Sequence, residues 1–173
     1  MNKQLSNPYY HLAAVRDLDM FYGRTSLLRR FFELQFNRQS VSLIGPRGIG
    51  KSSFLWYACQ VEVQERYPFD LSRHIFVLLD LRKYLFKNTE DFFHDVCTEI
   101  IQRSQSYPGL SLSSNSHGAD EFSCILDQIE RQGFYPVLLL DVFDKVTQNE
   151  HFGPEFFAFL RAHASAGQVS YVT

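Results

Sequence analysis

Cysteine is scarce in this chain of 173 residues. There are three, Cys59, Cys97 and Cys124, with no CxxC pair and no Cys/His spacing of a zinc ligand set. A disulfide framework and a structural zinc are therefore not expected. Each of the three falls on a predicted helix, and lone buried thiols suit a reducing compartment. Charge of one sign is lacking too. Seventeen Lys and Arg against 19 Asp and Glu leave a net charge of −2, so no global basic field favours nucleic acid or an anionic membrane. No run of about 18 apolar residues exists to span a bilayer. Met1-Asn2-Lys3-Gln4-Leu5 lacks the apolar stretch of a secretory leader, and a cytoplasmic location is expected. The six histidines, His11, His74, His94, His117, His151 and His163, show no ligand spacing, and no Ser-His-Asp or Cys-His arrangement can be assembled from them.

What is present is the composition of a globular domain with a substantial core: 45% hydrophobic and 21% charged residues, with 17 Phe and 9 Tyr pointing to a Phe-rich interior. The most informative stretch is Gly45-Pro46-Arg47-Gly48-Ile49-Gly50-Lys51-Ser52. It fits the phosphate-binding pattern of Gly, four residues, Gly-Lys-Ser/Thr. A short apolar strand (40–44) precedes it, and a helix (52–66) is predicted after it, as that motif requires. Gly45, Gly48 and Gly50 let successive N–H groups turn toward one anion, and the helix start aims its positive dipole end at the same point. Lys51 supplies a full charge for the β- and γ-phosphates, and Ser52 a hydroxyl ligand for Mg²⁺. Ser53 follows in the same turn.

In chain order, residues 1–18 form a polar lead-in with a turn or extended segment at Asn7-Pro8-Tyr9, and the domain proper is 19–173. Phe21-Tyr22-Gly23-Arg24 precedes an amphipathic helix that Thr25 or Ser26 can cap, with Leu27, Leu28, Phe31, Phe32 and Leu34 on its apolar face. The second strand is 74–81, whose unbroken apolar run fits a parallel sheet buried on both faces. Asn88 or Thr89 caps the next helix. Residues 104–118, rich in Ser with Pro108 and two Gly, read as a long exposed loop. Asp120 can cap a helix to Gln132 that Gly133 ends. The third strand is 137–141, a helix from Pro154 to about Ala164 ends at Gly167, and 169–173 is a fourth strand. Strands alternating with helices argue for an α/β fold with a mainly parallel sheet and right-handed crossovers.

Val137-Leu138-Leu139-Leu140-Asp141 is the apolar strand ending in Asp that partners a phosphate loop, so Asp141 is the second Mg²⁺ residue, opposite Ser52. Asp80 also ends an apolar strand. Followed by Arg82 and Lys83, it suits a salt bridge or loop cap better.

Phe21-Tyr22-Gly23-Arg24, the phosphate loop and Leu138-Leu139-Leu140-Asp141 together resemble the AAA+ and STAND (signal-transduction ATPase with numerous domains) branch of P-loop ATPases, over about residues 7–173. The resemblance implies the three-layer P-loop NTPase fold with strand order 5-1-4-3-2, and Tyr22, Gly23 and Arg24 near the adenine end of bound ATP. It also implies a fifth strand, a helical lid and a sensor residue after the fourth strand. Thr173 or the residue after it would be that sensor, and the chain reads as a core ending before the fifth strand and lid. The strand at 40–44 would then be an uncovered edge, which invites self-association or cover by another domain. One departure concerns chemistry. The acidic residue that follows the Mg²⁺ aspartate in that branch is Val142 here, which cannot orient water. Nucleotide binding is expected to survive and hydrolysis to be weak, with Asp144 the nearest substitute and Lys51 the remaining catalytic candidate. Two further functions share these motifs: a nucleic-acid-remodelling AAA+ ATPase, for which no basic groove is evident, and a P-loop phosphotransferase, for which Arg82-Lys83 is thin support. Nothing in the motifs reads the base, and the resemblance favours ATP.

Overall fold

Two seven-residue apolar runs set the centre of the molecule in the computed structural model, which describes residues 14–173. Strands β1 (His74–Asp80) and β2 (Tyr135–Asp141) lie parallel, paired from His74 with Tyr135 through to Asp80 with Asp141. Strand β3 (Ser170–Val172) continues the parallel sheet on the other side of β2. Beyond β3 lies the segment before the glycine-rich loop. Its Val41 bridges Val172 in parallel, the Val41 N–H donates to the Tyr171 carbonyl at 2.9 Å, and the Thr173 N–H donates to the Val41 carbonyl at 2.9 Å. The spatial order is thus first segment, fourth, third, second, the 1-4-3-2 part of the expected arrangement.

Because side chains alternate across a strand, each run feeds two cores. Ile75, Val77, Leu79, Leu138 and Leu140 face one layer, built from α4 (Thr89–Ser104), α5 (Gly118–Arg131) and α7 (Pro154–Ser165). Phe76, Val137, Leu139 and Val172 face the other, built from α1 (Thr25–Phe36), α2 (Lys51–Ala58) and α3 (Val61–Gln64). The result is a three-layer α/β sandwich. Its first face is cemented by edge-on aromatic contacts of Phe92 with Phe152 and Phe156. A fully buried side chain of this size contributes about 1.5–3 kcal/mol, so truncating any one of these rings threatens the fold.

Several local expectations need correction. The strand placed at 40–44 is a single bridge at Val41, since Ile44 already turns out to solvent at 96% exposure. The helix placed at 52–66 breaks in two. Gln60 adopts an extended backbone between α2 and α3, and Cys59 turns its thiol onto the Phe76 carbonyl. Neither Thr25 nor Ser26 caps α1. Its N-cap is Arg24 in the left-handed region at φ 58°, with no side-chain capping bond. Helix α5 starts at Gly118, so Asp120 lies inside its first turn rather than capping it. The long Ser-rich loop is laid back along α5 by side-chain amides. Gln132 bonds both ways with the Ser111 backbone, and Gln128 does the same with Ser113. Strand β2 begins two residues before the expected start and admits Pro136 as its second residue, ahead of the pairing with β3 that starts at Val137. A one-turn helix, α6 (Asp144–Thr147), was not foreseen. Asn88 does cap α4, in a reciprocal capping box with Asp91, and Gly133 and Gly167 take the left-handed positions after α5 and α7. Cys97 is buried and Cys124 only partly so. The Asn7-Pro8-Tyr9 turn and His11 lie outside the described residues.

His74 is buried at the start of β1, and among the described residues neither ring nitrogen has a partner. Burial, reinforced by the nearby Arg38 charge, lowers its pKa to about 4. The unfolded chain, with an ordinary value of about 6.5, therefore takes up this proton first. Stability falls as pH drops from about 6.5 to about 4 and gains nothing from this group above that window. Melting temperature measured across that range should decline in the starting protein, and His74→Gln should flatten the decline.

Candidate nucleotide-binding site

All four parallel segments point their carboxyl ends the same way, and the glycine-rich loop lies at that end. Its shape follows from two glycines. Gly48 at φ 80° and Gly50 at φ 92° hold left-handed backbone that a side chain would strain. Gly45 has an ordinary backbone. There the constraint is space, because a Cβ would stand 3.2 Å from the Ile49 side chain. Gly50 is the N-cap of α2, so Lys51, Ser52 and Ser53 form its first turn and the helix's free N–H groups face the loop. The Lys51 ammonium donates to the carbonyls of Gly45 at 2.7 Å and Pro46 at 3.2 Å, folding back over the loop it belongs to. Pro46, Arg47, Gly48 and Ile49 are exposed.

The second half of the site arrives from β2. The Ser52 hydroxyl donates to Asp141 Oδ1 at 2.8 Å, joining residues 89 positions apart in sequence. Both oxygens belong to the hard donor class that Mg²⁺ prefers. The neighbouring strand ends in Asp80, whose carboxylate accepts from the Arg82 backbone and from the Arg82 guanidinium in a two-pronged contact. That bond holds the Asp80 carboxyl below the usual carboxylate range. The salt-bridge reading of Asp80 is the one the structure displays.

Arg24 is placed where spacing alone did not put it. Its guanidinium donates to the carbonyls of Gly50, at 3.2 Å, and Ile49, and occupies the space beside Gly50. The segment before it is pinned to the same helix. The Val15 N–H donates to Ser53 Oγ at 2.9 Å, and Phe21 stacks on Tyr57 with ring centroids 4.1 Å apart. Gly23 is left-handed, and Tyr22 stands out at 80% exposure. Thr173 also reaches this end, its hydroxyl 2.8 Å from that of Ser42. Asp144 is exposed, and none of the described residues hydrogen-bonds its carboxylate. Val142, one residue past Asp141, sits at φ 60°, a left-handed conformation that is costly for a β-branched residue.

Residues 31–173, most of the chain, match the family model described as novel STAND NTPase 2. The chain belongs to this STAND NTPase family. Among solved structures, the STAND domain is similar to the Walker-type ATPase PABY2304 of Pyrococcus abyssi, with a TM-score of 0.66 at 20% identity. That match covers 94% of this chain and 47% of the other, so the chain spans about half the length of that neighbour. At this identity the likeness speaks for the fold. A search of curated proteins finds no match.

The sequence pattern had set Ser52 opposite Asp141, and the two stand 2.8 Å apart. It missed the Arg24 contact, because a hydrogen bond from a guanidinium to loop carbonyls leaves no periodic trace. Arg24→Ala removes both donors. Amide hydrogen exchange within residues 47–52 should then accelerate by at least tenfold, while exchange in β2 stays at its original rate.

Proposed function

We propose that this STAND NTPase domain binds ATP with Mg²⁺ and acts as a slowly hydrolysing switch. The observation that carries the reading is the 2.8 Å bond between Ser52 and Asp141, which brings the hydroxyl and the strand-end carboxylate of a phosphate loop to one point. Ser52 and Asp141 would hold the metal, Asp141 by way of water, and the metal would offset phosphate charge. Lys51, now on the Gly45 and Pro46 carbonyls, exchanges them for the β- and γ-phosphates. The loop amides and the α2 N-terminus bind the remaining oxygens. Tyr22, Gly23 and Arg24, pinned beside α2, would flank the nucleoside.

Val142 gives the position after Asp141 an isopropyl group, so turnover would be slow and the bound state long-lived. Residues 19–173 would serve as the nucleotide core, with a lid or neighbouring copies meeting the exposed Ile44, Ile49 and Tyr22 at this end. None of the helices among the described residues is long and apolar enough to cross a membrane.

Isothermal titration with ATP and Mg²⁺ tests the binding. Lys51→Ala should weaken it at least 100-fold, and Asp141→Asn should abolish its dependence on Mg²⁺. Equal affinity in Lys51→Ala would remove the reading. In a phosphate-release assay, Val142→Glu should raise turnover at least tenfold, in line with the roughly 10²–10⁴-fold worth of a positioned acid–base group.

A further inference from the structure

We propose that Asp80, at the end of the strand beside β2, supplies the water-orienting carboxylate that Val142 cannot, and that Arg82 fixes it in place. The inference rests on the nucleotide reading above and goes beyond it by assigning the chemistry of turnover to a different strand. Three observations converge. First, Asp80 is the register partner of Asp141 in a parallel pair. Adjacent strands lie about 4.8 Å apart, so the two residues stand side by side at the loop end of the sheet. Second, Asp80 is open to water, its side chain 41% exposed, while Arg82 holds both its oxygens. A carboxylate has about four lone-pair positions, and Arg82 fills about three of them through its backbone N–H, Nε and Nη2, which leaves about one for a water.

Third, the segment carrying Asp80 and Arg82 is locked to the segment that follows Asp141. Residues 81–85 form a 3₁₀ turn in which Leu81 and Tyr84 are wholly buried. Buried Asn149, beyond α6, donates to the carbonyls of Tyr84 at 2.7 Å and Lys87 at 2.8 Å. The Tyr84 hydroxyl donates to Asp95, which also pairs with Lys83 and Lys87 at 3.0 Å each. The two strand-end loops therefore hold Asp80 and Asp141 in one frame. Asp144, the other acidic candidate, begins α6 in that same segment, but none of the described residues hydrogen-bonds its carboxylate.

In the step itself, a water hydrogen-bonded to Asp80 attacks the γ-phosphorus. A phosphorus–oxygen bond forms, the bond from that phosphorus to the bridging oxygen breaks with its electron pair leaving on ADP, and the water's proton passes by way of Asp80 to solvent. The products are ADP and inorganic phosphate.

Asp80→Asn, Arg82→Ala, Arg82→Lys and Asp144→Asn should be compared with the starting protein for ATP affinity, phosphate release and the identity of nucleotide recovered from the protein after incubation. Asp80→Asn is expected to keep ATP affinity within threefold, to lower phosphate release at least tenfold and to retain unhydrolysed ATP. Arg82→Ala should lower kcat about fivefold to tenfold with KM unchanged, and Arg82→Lys should recover part of that loss, a split that general destabilisation would not give. Phosphate release within twofold of the starting protein in Asp80→Asn overturns the proposal. So does loss in Asp144→Asn without loss in Asp80→Asn, or a starting protein no faster than Lys51→Ala. Absence of ATP binding by the starting protein is a separate result: it overturns the nucleotide reading and takes this inference with it.

Discussion

The hydrogen bond between Ser52 and Asp141 depends on the strand order and gives that order its meaning. Ser52 begins a helix in one outer layer, and Asp141 ends the strand two places away in the sheet. They meet because β3 separates the first segment from β2 and because every segment points its carboxyl end the same way. A parallel sheet of this kind gathers strand-end side chains and helix N-termini at one rim, where the loops are free to build a site. The buried runs below that rim tolerate little, since each side chain serves one of two facing cores.

Around this bond the rim carries three sets of cation-to-oxygen contacts. Lys51 bonds two loop carbonyls, Arg24 bonds two more, and Arg82 holds Asp80. The Lys51 and Arg24 contacts pair a charged donor with carbonyls that an incoming phosphate can outbid, because charge-assisted bonds to an anion are stronger than those to a neutral carbonyl, whereas Arg82 already has an anionic partner in Asp80. Arg24 bonds the loop while Val15 and Phe21 contact α2, so the segment before α1 is tied to both.

Much of this was legible in the residues. The apolar runs at β1 and β2, the glycine punctuation of α5 and α7, and the Asn88 cap are local signals, and locally determined features are the ones a sequence displays. Misplaced features had a shared cause. Helix 52–66 kept its apolar spacing across Gln60, but the Cys59 contact with the β1 edge and the turn at Gln60 interrupted it. Strand 40–44 had the right composition but forms one bridge at Val41, with the Leu43 N–H donating to the Thr173 carbonyl before Ile44 turns out to solvent.

By itself the sequence determined the chemistry at the loop. The glycines, Lys51, Ser52 and the Asp ending an apolar run are each required by the backbone shape or charge they provide, and that requirement is written in residue type and spacing. Tertiary structure decided the rest: that Arg24 reaches the Ile49 and Gly50 carbonyls, that Asp80 stands in register with Asp141, and that Asn149 binds the turn after β1. These contacts join residues far apart in the chain, with no periodicity between them. They exist because the sheet brings particular strand ends side by side, and strand adjacency is a property of the whole packing rather than of any stretch of chain.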